Sequence, residues 1–232
     1  MHIYAVRIDL RAGGVRVRTT RGNGELPLDA NSMRVTSILE QEKWQVAING
    51  SAFAPTVDDE GVPQDIVGLS LRDGEVLSET RDYFGGLLCS EGVARIGNTP
   101  FDMTGVTQGL QGFEVVLQDG KICVDPGGDL HPRSAAGVSA DGHVLYLVAI
   151  DGRQPGVSEG ATTYEIGAIL KDLGADDALN LDGGGSTALV IADESGKPKL
   201  LNVPIHRGVP MNQRPVANAI GVIANKITVS PK

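Results

Sequence analysis

Short apolar runs punctuated by turn signals dominate this chain. Three Asp-Gly pairs, Asp73-Gly74, Asp119-Gly120 and Asp141-Gly142, each lie between runs rich in β-branched residues. Each predicts a two-residue hairpin turn, because both central positions of that turn require positive φ. The flanking runs are 68–72 with 75–77, 114–118 with 121–124, and 136–139 with 143–150. Two stretches have helical spacing instead. Val35, Ile38 and Leu39 predict a helix starting at Met33 or Thr36 and running to Lys43. Ile166, Ile169, Leu170 and Leu173 fall at i, i+3, i+4 and i+7. There Thr162 and Glu165 form a capping box, and Gly174 is placed to end the helix. Each helix leads into a short apolar strand, Val46-Ala47-Ile48 after the first and Ala178 to Leu181 after the second. The pattern predicts an α+β fold, a mixed but largely antiparallel sheet built from hairpins with two principal helices. With no Pro/Ser-rich linker, a single domain over residues 1–232 is expected; strand order is not legible.

Composition changes this picture little. The chain has 232 residues, 41% of them hydrophobic and 21% charged, enough to bury a sizeable core. No run of eighteen apolar residues occurs, so no membrane span is expected. A net charge of −9 opposes a nucleic-acid partner. Cys89 and Cys123 are too few for a disulfide framework and lack zinc spacing; one bridge or two thiols remain open. Met1-His2-Ile3-Tyr4 reads as a strand and not as a secretory signal. That fits a cytoplasmic protein or an exported one whose leader has been removed. No heptad pattern speaks to oligomeric state.

Chemistry concentrates in the second half. Residues 180–191 read as strand, glycine turn, strand, with Asp182 at the first strand's end and Gly183-Gly184-Gly185 after it. Three glycines cost backbone entropy but let bare amides face a ligand oxygen. They equally suit a plain turn closing a buried hairpin; the adjoining hydroxyls of Ser186 and Thr187 favour a site. Arg133, beside Ser134 at the entrance of a strand, can grip a phosphate or carboxylate with two prongs. Asp151-Gly152-Arg153 puts a carboxylate and a guanidinium at the end of the strand 144–150. Glu165 is accounted for by the capping box. His206-Arg207 and Arg214 supply positive charge or exposed loop. No Gly-x-Ser-x-Gly elbow, P-loop, His-Glu-x-x-His or EF-hand loop is found. Asn49-Gly50-Ser51 fits a glycosylation sequon, but its place after a buried strand argues against a glycan.

Five segments in order are more specific than any one alone: 47–53 (Ala-Ile-Asn-Gly-Ser-Ala-Phe), 133–138 (Arg-Ser-Ala-Ala-Gly-Val), 151–154 with the following helix, 180–187 (Asn-Leu-Asp-Gly-Gly-Gly-Ser-Thr) and 214–220 (Arg-Pro-Val-Ala-Asn-Ala-Ile). Together, from about Tyr4 to Ile223, they resemble the phosphodiester glycosidase family. The resemblance implies hydrolysis of a sugar, N-acetylglucosamine-like, joined through its anomeric oxygen to a phosphodiester. Asp182 is then expected as nucleophile or base, with Asp151 and after it Glu165 as the second carboxylate. Arg133 is expected to hold the phosphate, helped by the amides of Gly183, Gly184 and Gly185, and Asn49 to bond the sugar. Gly50, Ser134, Arg153, Ser186 and Thr187 complete the binding set. Where the family commonly has Asn-Gly-Gly-Phe-Phe, this chain has Asn49-Gly50-Ser51-Ala52-Phe53, a change expected to re-line the pocket. No cofactor and no metal are expected; the partner is a sugar-phosphate diester or glycan. Two other readings are a non-catalytic carbohydrate-binding or envelope-associated module and a phosphodiesterase attacking phosphorus. The last ranks lower because that chemistry usually recruits metal ions or a histidine nucleophile.

Overall fold

A computed structural model describes residues 1–225. The single domain expected over 1–232 therefore ends, at its last seven positions, outside the described residues. The run Val144–Ile150 is apolar throughout and buried throughout. Leu145, Leu147 and Ala149 point into one core, and Val144, Tyr146, Val148 and Ile150 into another. A strand covered on both faces belongs inside a sheet. It pairs with Ile3–Asp9 on one side and Arg133–Val138 on the other. Asp177–Asn180, Val115–Gln118 and Lys121–Ile122 follow in order, making six strands.

Two five-stranded sheets follow, beside a smaller three-stranded sheet and a two-stranded one. One runs, in spatial order, Pro198–Leu200, Leu189–Ala192, Val46–Asn49, Ala219–Ile223 and Arg16–Thr19. The other runs Val93–Asn98, Gly85–Ser90, Gln108–Gln111, Ser70–Arg72 and Glu75–Ser78. The ladders of these three sheets are antiparallel. Their inner faces share one core, with Leu145 and Leu147, Ile48 and Ile220, and Leu87 and Leu110 contributed by the three sheets in turn. Each such side chain stabilises the fold by roughly 1.5–3 kcal/mol relative to exposure.

The helices cover the outer faces. Helix α1 (Val35–Glu42) packs Val35, Ile38 and Leu39 with Trp44, Ala47 and Val190. The Trp44 ring lies so close to Gly221 that a Cβ there would sit 1.8 Å from it. Helix α2 (Thr163–Leu173) packs Ile166 and Leu170 on Val116, Ala135 and Val148. Both arms of its capping box form: the Glu165 amide donates to Thr162 Oγ1 at 3.1 Å, and the Thr162 amide to Glu165 Oε2 at 2.8 Å.

Two expected hairpins have the expected turn. Asp73 and Gly74 (φ 51° and 84°) and Asp119 and Gly120 (φ 49° and 68°) are left-handed in pairs. They place Arg72 opposite Glu75 and Gln118 opposite Lys121. The third differs. At Asp141-Gly142 only Gly142 has positive φ, and the Ser139 amide donates to the Val144 carbonyl at 3.0 Å, giving a four-residue connection. The reason is local: the Asp141 carboxylate accepts from Ser139 Oγ at 2.6 Å and from the His143 amide at 3.1 Å, an alternative turn chemistry. The stretch 180–191 is also not a hairpin. Asp177–Asn180 belongs to the six-stranded sheet and Leu189–Ala192 to a five-stranded one, so the glycine segment crosses between sheets. Cys89 is buried and Cys123 exposed, and both are free thiols. Burial pushes the Cys89 thiol up to about 12. No helix among the described residues is long and apolar enough to cross a membrane.

Candidate active site

The crossover is held where the ends of two strands from different sheets meet. The Leu181 amide donates to the Ser134 carbonyl at 2.9 Å, the Asp182 amide to the Gly50 carbonyl at 3.0 Å, and the Gly184 amide to the Pro132 carbonyl at 2.8 Å. Asn49 fastens this junction. Its amide nitrogen donates to the Asp182 carbonyl, while its Oδ1 accepts from Ser134 Oγ at 2.6 Å and from the Ala188 amide at 3.2 Å. The Asn49 side chain, expected to bond the sugar, is fully buried and engaged with three protein groups. Its burial also leaves the sequon without an accessible acceptor. Ser134 is buried likewise, and Gly50 is a packing position, since a Cβ would lie 2.5 Å from Asn218 Oδ1. Ser51, the departure from the family pattern, turns inward; its hydroxyl accepts from Asn218 Nδ2 at 3.1 Å.

The three glycines are explained by what lies against them. A Cβ on Gly183 would sit 2.8 Å from the Pro132 carbonyl, one on Gly184 2.9 Å from an Arg153 guanidinium nitrogen, and one on Gly185 2.6 Å from Arg214 Nη2. Two guanidinium groups thus rest directly on the bare backbone. Arg153 gets there through a left-handed backbone (φ 56°), an uncommon conformation for a side-chain-bearing residue. Of the three glycine amides, that of Gly183 donates to its neighbour Asp182 Oδ1 at 3.0 Å, and that of Gly184 to the Pro132 carbonyl.

Asp182 is surrounded by donors. Desolvation raises its carboxyl above the usual range; the hydrogen bond from Ser186, the charge of Arg214 and the Gly183 amide act in the opposite direction. Ser186 Oγ also accepts from Arg214 Nη1 at 3.4 Å. Arg133, Arg153 and Arg214 feel one another's neighbourhood: Arg153 lowers the pKa of the other two, after burial as the larger cause. Of the three, Arg214 is the one whose charge acts on Asp182, while Arg133 has Glu114 and Asp129 as its carboxylate neighbours. Arg133 is only partly available for a ligand. Its Nε donates to the Ala161 carbonyl at 2.9 Å and an Nη to the Asp129 carbonyl at 3.1 Å.

The two proposed second carboxylates do not join this cluster. Asp151 is fully buried, with Oδ1 accepting from the Val203 amide at 2.8 Å and from Asn202 Nδ2 at 3.4 Å. Glu165 closes the capping box of α2. Thr187 faces the interior, its carbonyl bonded by Asn202 Nδ2 at 3.2 Å. Two residues that sequence reasoning left as generic positive charge take part instead. Arg214 reaches Ser186, and its Nε donates to His206 Nδ1 at 3.3 Å. The signal for Arg214 was present in the 214–220 segment; for His206 nothing marked it. The carboxylates of Asp119, Asp176 and Asp177 approach one another closely enough to hold a cation, but at the opposite end of the strand that leads to Asp182.

Comparison with known proteins identifies the fold and the family. The fold is that of a hypothetical protein from Synechocystis (TM-score 0.72, 17% identity), covering 96% of this chain and 59% of that one. It is also that of the zebrafish N-acetylglucosamine-1-phosphodiester alpha-N-acetylglucosaminidase catalytic domain, auto-inhibited by its pro-peptide (TM-score 0.70, 21% identity; 97% and 83% covered). This chain thus spans about three fifths of the Synechocystis protein. No curated protein matches in sequence. The phosphodiester glycosidase family model matches residues 42–223, a span that contains Asn49, Arg133, Arg153, Asp182 and Arg214. The chain belongs to the phosphodiester glycosidase family.

Proposed function

We propose that this protein hydrolyses the bond between the anomeric carbon of a sugar and the oxygen of a phosphodiester, with Asp182 at the reaction centre. One observation carries the reading: the desolvated carboxylate of Asp182 is paired with the charge of Arg214, and Arg153 and Arg214 rest on the glycines that follow it. Family membership supports the class of reaction. The sugar is N-acetylglucosamine-like by analogy with the name of the zebrafish relative.

The chemistry follows from the charge distribution. Asp182 acts as nucleophile at the anomeric carbon, or as the base that takes a proton from the attacking water. The bond from carbon to the phosphate-bearing oxygen breaks, and its electron pair leaves with the phosphodiester. That anion is stable without protonation, so the absence of Asp151 and Glu165 from the cluster removes no needed acid. Arg153 and Arg214 stabilise the departing charge. Water oxygen ends on the sugar.

The test is a panel of sugar-1-phosphate diesters, N-acetylglucosamine first, hydrolysed in oxygen-18 water. Free sugar carrying the label supports the proposal. Label in phosphate would replace it with attack at phosphorus, and saturable binding without product would favour a carbohydrate-binding module.

A further inference from the structure

Arg214 has a partner that fixes its orientation by a rule of proton count. Its Nε always bears hydrogen, so His206 Nδ1, 3.3 Å away, must accept. The other ring nitrogen then bears the hydrogen and donates to Asp58 Oδ1 at 2.8 Å. Asp58 is itself held from the far side by Arg207, whose Nε donates to the same Oδ1 at 2.7 Å and whose Nη2 lies 2.7 Å from Oδ2. These bonds hold the Asp58 carboxyl below the usual range, so it stays an anion able to fix the tautomer. The His206 side chain is almost completely buried, and its amide and carbonyl are tied to Asn212, which leaves the ring little freedom. From Asp58 the chain of bonds runs through His206, Arg214 and Ser186 to Asp182.

We infer that His206 is a positioning residue: as the neutral tautomer set by Asp58, it holds Arg214 over Gly185 and against Ser186 at the reaction centre. This rests on the function proposed for Asp182. The charged groups facing the ring are Asp58, from the segment preceding the strand Pro63–Ile66, Arg207 on its own hairpin, and Arg214. Protonating the ring puts hydrogen on Nδ1, where it opposes the Arg214 Nε–H. Asp58 keeps its bond, and Arg214 loses its own.

The two side-chain amides separate the ring's functions. In His206→Asn an oxygen can occupy the Nδ1 position and accept from Arg214, but Asp58 is not reached. In His206→Gln the amide can reach Asp58 from the Nε2 position, but Arg214 has no acceptor. The expected result is a kcat fall of about 10- to 100-fold in H206Q with KM little changed. H206N should restore most of that loss. Ring nitrogen shifts by NMR at neutral pH should show hydrogen on Nε2 and none on Nδ1. Equal losses in the two variants, or hydrogen on Nδ1, would overturn the inference, and melting curves of both variants identify a general loss of folding. If wild-type protein releases no sugar, the function proposed for the site fails separately. Affinity for inorganic phosphate then decides: weakening in H206Q alone supports the positioning role, and equal affinities overturn it.

Discussion

The hairpin at Asp73-Gly74 and the crossover at Asp182-Gly183-Gly184-Gly185 begin with the same dipeptide, yet glycine is there for different reasons. Gly74 has φ 84° and nothing within 4 Å of where a Cβ would be. It is needed for its backbone angle alone. Gly185 has no such angle; it is needed because Arg214 occupies the space beside it. The hairpin glycine serves the path of the chain, the crossover glycine serves a neighbour from a distant segment. An Asp-Gly pair is thus a turn signal in one place and half of a site in the other.

Substitutions can break or sharpen this contrast. Largest in effect, Asp182→Asn should lower kcat on the order of 10³-fold or more while the fold is retained, read by steady-state kinetics and circular dichroism. A variant that keeps full activity would sink the assignment. Next, Gly185→Ala should displace Arg214, costing about 10²-fold in activity and ~1–3 kcal/mol in stability from overpacking. Unaltered kinetics would mean that Arg214 does not act where it sits. Thr162→Ala should cost about 1 kcal/mol by removing the cap of α2, measured by denaturant unfolding, with no change in kinetics. Gly74→Ala should cost roughly 1–2 kcal/mol from left-handed strain and leave activity intact; a loss of activity there would erase the distinction between the two glycines.

A pH effect sharpens the comparison further. The Asp182 carboxyl is raised in the folded state, chiefly by desolvation. Its contribution to stability is therefore present below the unfolded carboxyl value and lost as pH rises through the folded one. Asp182→Asn should be more stable than wild type at neutral pH, and the gain should vanish in acid below about pH 4. Thermal melts across pH check this; a variant less stable at neutral pH would show that the bonds from Ser186 and Gly183 outweigh desolvation.

Much of the frame was legible in advance because its causes are local. Helix α2 is specified by four apolar residues on one stripe and two residues that cap it, all within a dozen positions. The same holds for the turns at Asp73 and Asp119. At Asp141 the local reasoning was incomplete, since the carboxylate bonded Ser139 and His143 and lengthened the turn. The site was legible in part. Asp182 stood out through its glycines, while sequence did not show that the Asp151 carboxylate is a buried acceptor for the Val203 amide.

The amino-acid sequence by itself determined the helices, two of the three expected turns, the family and the segment that carries the aspartate, through periodicity and short-range hydrogen bonding. Tertiary structure alone decided that the strands before and after the glycines enter different sheets. It decided too that Asn49 fastens the junction, and that Arg214, bonded to His206, lies beside Asp182. Those outcomes depend on contacts such as Asn49 with Asp182 and Arg214 with Ser186, whose partners lie 133 and 28 positions apart. No local propensity encodes such pairings, which arise when the sheets close over their shared core and bring those strand ends together.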